Sequence, residues 1–305
     1  MSDIKAPVRV CDAHCDTLYN LLTAPGSAND VTLERLLKGG VVLQSMAMYV
    51  GPAADLETFE ARFSGMFAEL QKLQDQGWRL VDDPADIADD GPHMLLSIEG
   101  CEVFARGLHV IEEYRNRGVR MAAVTWNHPN ALGTPHCVDA TTGLTDYGLQ
   151  AVREMQRLRI AVDISHLNEA GVDDIFLKTN APPMASHSCA RALRDHTRNL
   201  TDRQLRQLFG AGGFVGLNFF PLFITDQPVC TLDMLVDHIA HMYDLGGAGM
   251  VGFGSDFDGI SSKPVGLDNP ADFPNLLEAL RRRGFGDKDV RDIAGQAFFD
   301  YFARI

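Results

Sequence analysis

The chain is 305 residues long, 46% hydrophobic and 22% charged, a mixture that excludes a disordered tail, a collagen-like fibre and a disulfide-stapled miniprotein. Asp and Glu number 41 against 27 Lys and Arg, a formal charge of -14, which repels a phosphate polyanion and argues against nucleic-acid partners. Six scattered cysteines without a CxxC pair, an N-terminus (MSDIKAPVRV) with no apolar leader core, and no uncharged apolar run of about 18 residues lead us to expect a soluble, cytoplasmic protein without a membrane partner.

In chain order, short β-branched apolar runs alternate with amphipathic stretches. Val8–Ala13 and Val41–Val50 come first, followed by the helical pattern of Leu56–Gln76. His93–Glu99 and Val119–Trp126 precede the amphipathic stretch Tyr147–Arg159. Ile160–His166 and Pro182–Ser188 lead into Asp202–Phe209, and Phe214–Phe220 is separated from Met250–Asp256 by Leu232–Leu245. Runs that are apolar almost throughout suit strands covered by helices on both faces, hence a parallel sheet. Eight such strands with crossovers predict one domain over residues 1–305, an α/β (β/α)8 barrel. No GxGxxG follows the first run, so a dinucleotide site has no support. Asp287 to Ile305 is predicted as a terminal helix, spanning 287–303, that packs Val290, Ile293, Phe298 and Phe302 on the body. The irregular segment Asn127–Thr145 is expected to lie over a site.

In such a barrel, chemistry collects at the C-terminal ends of the strands. There the sequence places His14 and Asp16, Glu99, His166, His187 and Asp256. Positions i and i+2 of a strand share a face, so His14 and Asp16 are expected to point into the same mouth, with Cys15 packing in the wall. One histidine at a strand end is more often structural, and a lone Asp such as Asp258 often caps a helix. The joint pattern is harder to dismiss. Several buried carboxylates cost many kcal/mol without a cation, and imidazoles with carboxylates form a donor set suited to zinc, manganese or cobalt. Asp12 and Asp163 read as supporting partners or caps. His93, His109, His136, His196, His238 and His241 are expected on the surface. Ser165 and Ser188 adjoin histidines, but strand neighbours point oppositely, so no Ser–His hydrogen bond is expected, and no GxSxG elbow is present.

Together the segments His14-Cys15-Asp16, Ser97-Ile98-Glu99-Gly100, Ile164-Ser165-His166, Ser186-His187-Ser188, Gly254-Ser255-Asp256-Phe257-Asp258-Gly259 and Arg198-Asn199-Leu200-Thr201-Asp202 occur in an order that resembles the membrane (renal) dipeptidase family. That is peptidase family M19 of the metal-dependent amidohydrolase superfamily, and the resemblance runs along essentially the whole chain. It implies two zinc ions per chain, one held by His14, Asp16 and Glu99, the other by His166, His187 and the bridging Glu99. It further implies a metal-bridging hydroxide, Asp256 as catalytic acid/base, Arg198 as the clamp on a substrate carboxylate, and a dipeptide substrate, L,D-dipeptides included. The family's carbonyl-polarising histidine follows the fourth strand. Here Trp126 falls at that position, with Asn127 and His128 as the candidate substrate-binding replacements. The resemblance leaves a homodimer open. The alternatives are a related amidohydrolase acting on N-acyl amino acids or lactams, and a non-catalytic metal-binding protein. Many such relatives bridge their metals with a carboxylated lysine, but none of the six lysines here ends a strand, whereas the resemblance implies Glu99 as the bridge.

Overall fold

The computed structural model describes residues 8–51, 55–87, 91–180 and 182–305; residues 1–7 of the N-terminal segment read for a leader lie outside them. Every one of the eight apolar runs contains a strand: β1 (Val10–Asp12), β2 (Val41–Tyr49), β3 (His93–Glu99), β4 (Val119–Ala123), β5 (Ala161–Asp163), β6 (Met184–Ser188), β7 (Phe214–Leu217) and β8 (Val251–Phe253). Their order around the sheet is β2-β1-β8-β7-β6-β5-β4-β3, all parallel, and β2 pairs with β3 to close it. The closing seam is the longest in the sheet, from Leu43↔His93 to Tyr49↔Glu99. A two-residue strand, Arg79–Leu80, pairs with the start of β3 and carries no sequence signal of its own.

The crossover helices begin where side-chain caps satisfy otherwise orphaned backbone N–H groups. Asp55 accepts from Thr58 N ahead of Leu56–Asp75, and Thr145 accepts from Gly148 N ahead of Asp146–Arg157. Thr201 and Gln204 form a reciprocal capping box at Asp202–Gly210.

Cys11, Leu43, Leu95, Met121, Met184 and Phe214 fill the lower barrel as one buried cluster, which Phe298 and Phe302 of the terminal segment complete. Phe214 and Phe298 meet edge to face at 5.3 Å. That segment is not one regular helix: Asp287–Arg291 and Ala297–Phe302 are α-helical, and Asp292–Gln296 between them is a π turn. There Gly295 approaches β1 so closely that a Cβ would lie 2.7 Å from the Arg9 carbonyl oxygen. Val290, Ile293, Phe298 and Phe302 are buried. An apolar plug at this end leaves the mouth at the C-terminal ends of the strands for polar groups. No helix among the described residues is long and apolar enough to cross a membrane.

Candidate metal centre and substrate pocket

Six side chains from the ends of β1, β3, β5, β6 and β8 converge in the mouth. The potential ligand atoms of Glu99, His166 and His187 lie within 4.8 Å of one another, as do those of His14, Asp16 and Glu99, and those of His14, His187 and Asp256. Glu99 belongs to two of these groups. Its Oε1 lies 2.8 Å from His166 Nε2 and 3.4 Å from His187 Nε2, and its Oε2 lies 3.5 Å from His14 Nε2. Cys15 lies in the wall, with Sγ 3.4 Å from the Ser45 carbonyl oxygen.

The surrounding hydrogen bonds set the imidazole tautomers. His166 Nδ1 donates to Asn127 Oδ1 at 3.0 Å. Ser186 donates its hydroxyl hydrogen to Asp163, so His187 Nδ1 donates to Ser186 Oγ at 2.7 Å. Both rings therefore turn an Nε2 lone pair toward Glu99, although those two nitrogens are only 3.2 Å apart. A bond between Ser186 and its neighbour His187 departs from the simple alternation of strand side chains. Asp12 plays the matching part under β8, accepting from Ser255 N at 2.8 Å and Ser255 Oγ at 2.6 Å.

These groups fit divalent metal. His14 Nε2 and Asp16 Oδ1 are buried without a hydrogen-bond partner, and the facing nitrogens of His166 and His187 are lone pairs crowded on a carboxylate. Their mutual fields point the same way. Burial lowers His166 to about 4, with Arg198 adding to the shift, and pushes His187 well below the ordinary histidine value, so both rings are neutral donors. Glu99 is ionised: burial opposes its charge, but the neighbouring His14 holds it well below the usual carboxylate range. Burial and the neighbouring Glu99 push Asp16 well up. Burial would lower His14 too, but Glu99, Asp16 and Asp256 raise it to about 10. Burial also raises Asp256 to about 6 against the opposing pull of His14. Nearby positive charge would relieve the acidic crowding.

His166, Asp256 and Asp258 have left-handed backbones (φ 68°, 64° and 68°), which non-glycine residues adopt at a cost of about 1–3 kcal/mol each and which concentrate at functional sites. A Cβ on Gly259 would stand 2.0 Å from Asp16 Oδ2 and 2.6 Å from Asp256 Oδ1, so this turn has no room for a side chain.

Arg198 lies beside this cluster, 3% exposed. Its Nη1 donates to Ser188 Oγ at 3.0 Å, while Nε and Nη2 are buried without partners. It lines a cavity of about 250 Å³ together with Asp16, Glu99, Asn127, His166 and Asp256.

The sequence matches the family described as Membrane dipeptidase (Peptidase family M19) over residues 1–303. The chain belongs to that family. It is 34% identical over 206 residues to a protein named an uncharacterized dipeptidase in Schizosaccharomyces pombe, covering 66% of this chain and 50% of that one. It is 35% identical over 205 residues to a protein named a dipeptidase in Aspergillus oryzae, covering 66% and 49%. The chain thus spans about half the length of the curated relatives it matches. A metallo peptidase from Rhodobacter sphaeroides, solved with a phosphinate mimic of the dipeptide L-Ala-D-Ala, superposes with a TM-score of 0.91 at 26% identity, covering 98% of this chain and 99% of that one.

In this M19 chain, Asn127 lines the cavity but His128 does not. His128 is exposed and faces a separate groove with Phe59, Glu102 and Asn130, because the chain turns outward after Asn127. The structure thus separates Asn127 from His128, the two candidates for substrate binding. His93 and His238 are buried rather than on the surface: His93 Nδ1 lies 3.3 Å from the Val42 carbonyl oxygen, and the His238 nitrogens bridge Ala190 N and the Ile224 carbonyl. His136 and His196 were also expected on the surface. Both are half-buried beside Arg198, where Arg198 N donates to His196 Nδ1 and His136 Nδ1 lies 2.8 Å from Thr197 Oγ1. Burial, then Arg198, lowers His136 to about 3. No local pattern marks these two; the loops that carry them meet only in the folded barrel.

Proposed function

We propose that this chain is a metal-dependent dipeptidase that holds two zinc ions and hydrolyses the peptide bond of dipeptides, L,D-dipeptides included. Arg198 carries the reading: a buried guanidinium with two unpartnered nitrogens opens into the same cavity as the His/carboxylate cluster. A planar carboxylate matches that fork, and a free carboxylate one residue from the scissile bond distinguishes a dipeptide from an internal stretch of protein. The dipeptide mimic bound by the Rhodobacter sphaeroides protein supports the same substrate class.

His14, Asp16 and Glu99 would hold one ion and Glu99, His166 and His187 the other. When bound, the ions supply an acidified water and a polarised carbonyl. Asp256 accepts the proton of the attacking water and returns it to the departing amine. Asn218 Nδ2 holds Asp256 Oδ2 at 2.9 Å, which leaves Oδ1 turned to the cluster, 3.9 Å from His14 Nε2. Arg198 orients the substrate through its carboxylate, converting binding into alignment. Asn127 fixes the His166 ring and is the candidate donor to the carbonyl oxygen. A cytoplasmic location belongs to this reading and is supported by six free thiols.

The test is a stereochemically complete dipeptide library, with matched C-terminal amides, offered to zinc-loaded protein. Hydrolysis of dipeptides and sharply weaker hydrolysis of their amides is expected. Two zinc equivalents bound with no turnover of any L,L- or L,D-dipeptide would contradict the proposal.

A further inference from the structure

The cavity has two unlike ends. On one side is Arg198, on the loop after β6, its guanidinium carbon 5.9 Å from the Phe223 ring. Tyr49 ends β2, which lies opposite β6 in the closed ring of eight strands. It is the middle of a continuous aromatic wall, its ring centroid 4.9 Å from that of Tyr19 and 4.8 Å from that of Trp126. Trp126 in turn lies 6.4 Å from the His166 ring. All three aromatic residues line the cavity and are half-buried. The wall is closely seated: a Cβ on Gly51 would come within 2.8 Å of the Tyr19 hydroxyl oxygen. None of the three is among the candidate ligands, so their presence in the mouth needs another explanation.

Resting on the dipeptidase reading, we propose that Tyr19, Tyr49 and Trp126 form the subsite for the side chain of the substrate's N-terminal residue, and that this subsite selects large apolar side chains and rejects acidic ones. A dipeptide is about 7 Å long when extended. With its carboxylate on Arg198 and its peptide bond over the cluster, its first residue extends toward the side of the mouth that β2 occupies. An apolar side chain there covers ring faces that water otherwise wets. An acidic one would lay its charge on those ring faces beside Asp258, while Arg198 is occupied by the substrate's own carboxylate. Desolvating a carboxylate against aromatic faces that offer it no hydrogen-bond partner is an effective means of rejection. Trp126, standing where the family resemblance leads one to expect a polarising histidine, thus serves recognition of the side chain.

Kinetics and fluorescence together test this on zinc-loaded protein. Leu-Ala and Phe-Ala should exceed Glu-Ala in kcat/KM by about tenfold or more. Trp126→Ala should lower kcat/KM for Leu-Ala about tenfold more than for Ala-Ala, and Tyr19→Ala, farther along the wall from His166, should act in the same direction. Equal rates on Leu-Ala and Glu-Ala, or the same proportional loss on every substrate, would overturn the subsite. The protein has two tryptophans, and Trp78 is buried in the core, so a Trp78→Phe variant leaves Trp126 as the reporter. Phosphinate analogues of Leu-Ala and Glu-Ala are then titrated against it. The Leu analogue should change Trp126 emission and bind about tenfold more tightly. If no dipeptide is turned over, the dipeptidase reading fails, yet the titration still decides the subsite: no emission change, or equal affinities, overturns it.

Discussion

A guanidinium buried with two idle nitrogens is costly unless an anion completes it, and this makes Arg198 the most informative residue in the pocket. Arg198→Ala should lower kcat/KM for dipeptides by about 10²-fold, mostly through KM, and abolish the preference for a free carboxylate over the amide. Unchanged discrimination between Leu-Ala and Leu-Ala amide would remove the assignment. Asn218 offers a second test through pH. Its amide bonds the charged form of Asp256, which lowers that carboxyl's pKa against the burial that raises it to about 6. Removing the donor in Asn218→Ala raises the pKa further. Because the base form is needed, the acid limb of the kcat/KM profile should move to higher pH, with more activity lost at pH 6 than at pH 8. A uniform loss across pH would mean that Asn218 does not tune Asp256. The ligand-type residues were legible in sequence because an apolar barrel has no reason to hold His14, Asp16, Glu99, His166 and His187 at its strand ends. His136 and His196 were not, since the loops that carry them meet only after the barrel closes, and the aromatic wall was not, since Tyr19 in the helix Thr17–Thr23, Tyr49 at the end of β2 and Trp126 after β4 share no local pattern.

At the level of elements, seven of the eight strands are shorter than their apolar runs, and His93–Glu99 alone fills its run. Val119–Trp126 leaves its strand at Ala123, yet Val124 still bonds the Asp163 carbonyl, so the apolar pattern outlasts the ladder as the chain turns into the mouth. The turns there are held by side chains whose partners are distant in sequence. Asp258 illustrates this, accepting from Thr17 Oγ1 at 2.6 Å and from Asp30 N at 2.6 Å, and so clasping the loop after β8 to the segment before Leu33–Gly39. Sequence alone offered a helix cap for it. Asp258→Ala leaves those donors unsatisfied, a loss of about 1–3 kcal/mol, and should lower Tm by several degrees at constant metal loading. An unchanged Tm would show that the clasp is not structural. The π turn at 292–296 was equally hidden: the apolar spacing fits an unbroken helix, and only the contact of Gly295 with β1 shows why the turn widens.

For the whole molecule, the barrel was legible because strands covered on both faces read as continuous apolar runs separated by helical ones, and closure between β2 and β3 completes that pattern. The same closure gathers six acid and imidazole groups, distant in sequence, at one mouth, and the account depends on cations sharing that space with them. Anomalous diffraction at the zinc edge, from crystals of zinc-loaded protein, tests this most directly. The expected result is two peaks, one roughly 2.0–2.2 Å from donors of His14, Asp16 and Glu99, the other at the same range from donors of Glu99, His166 and His187. An empty mouth, or zinc bound only by other residues, would contradict the account.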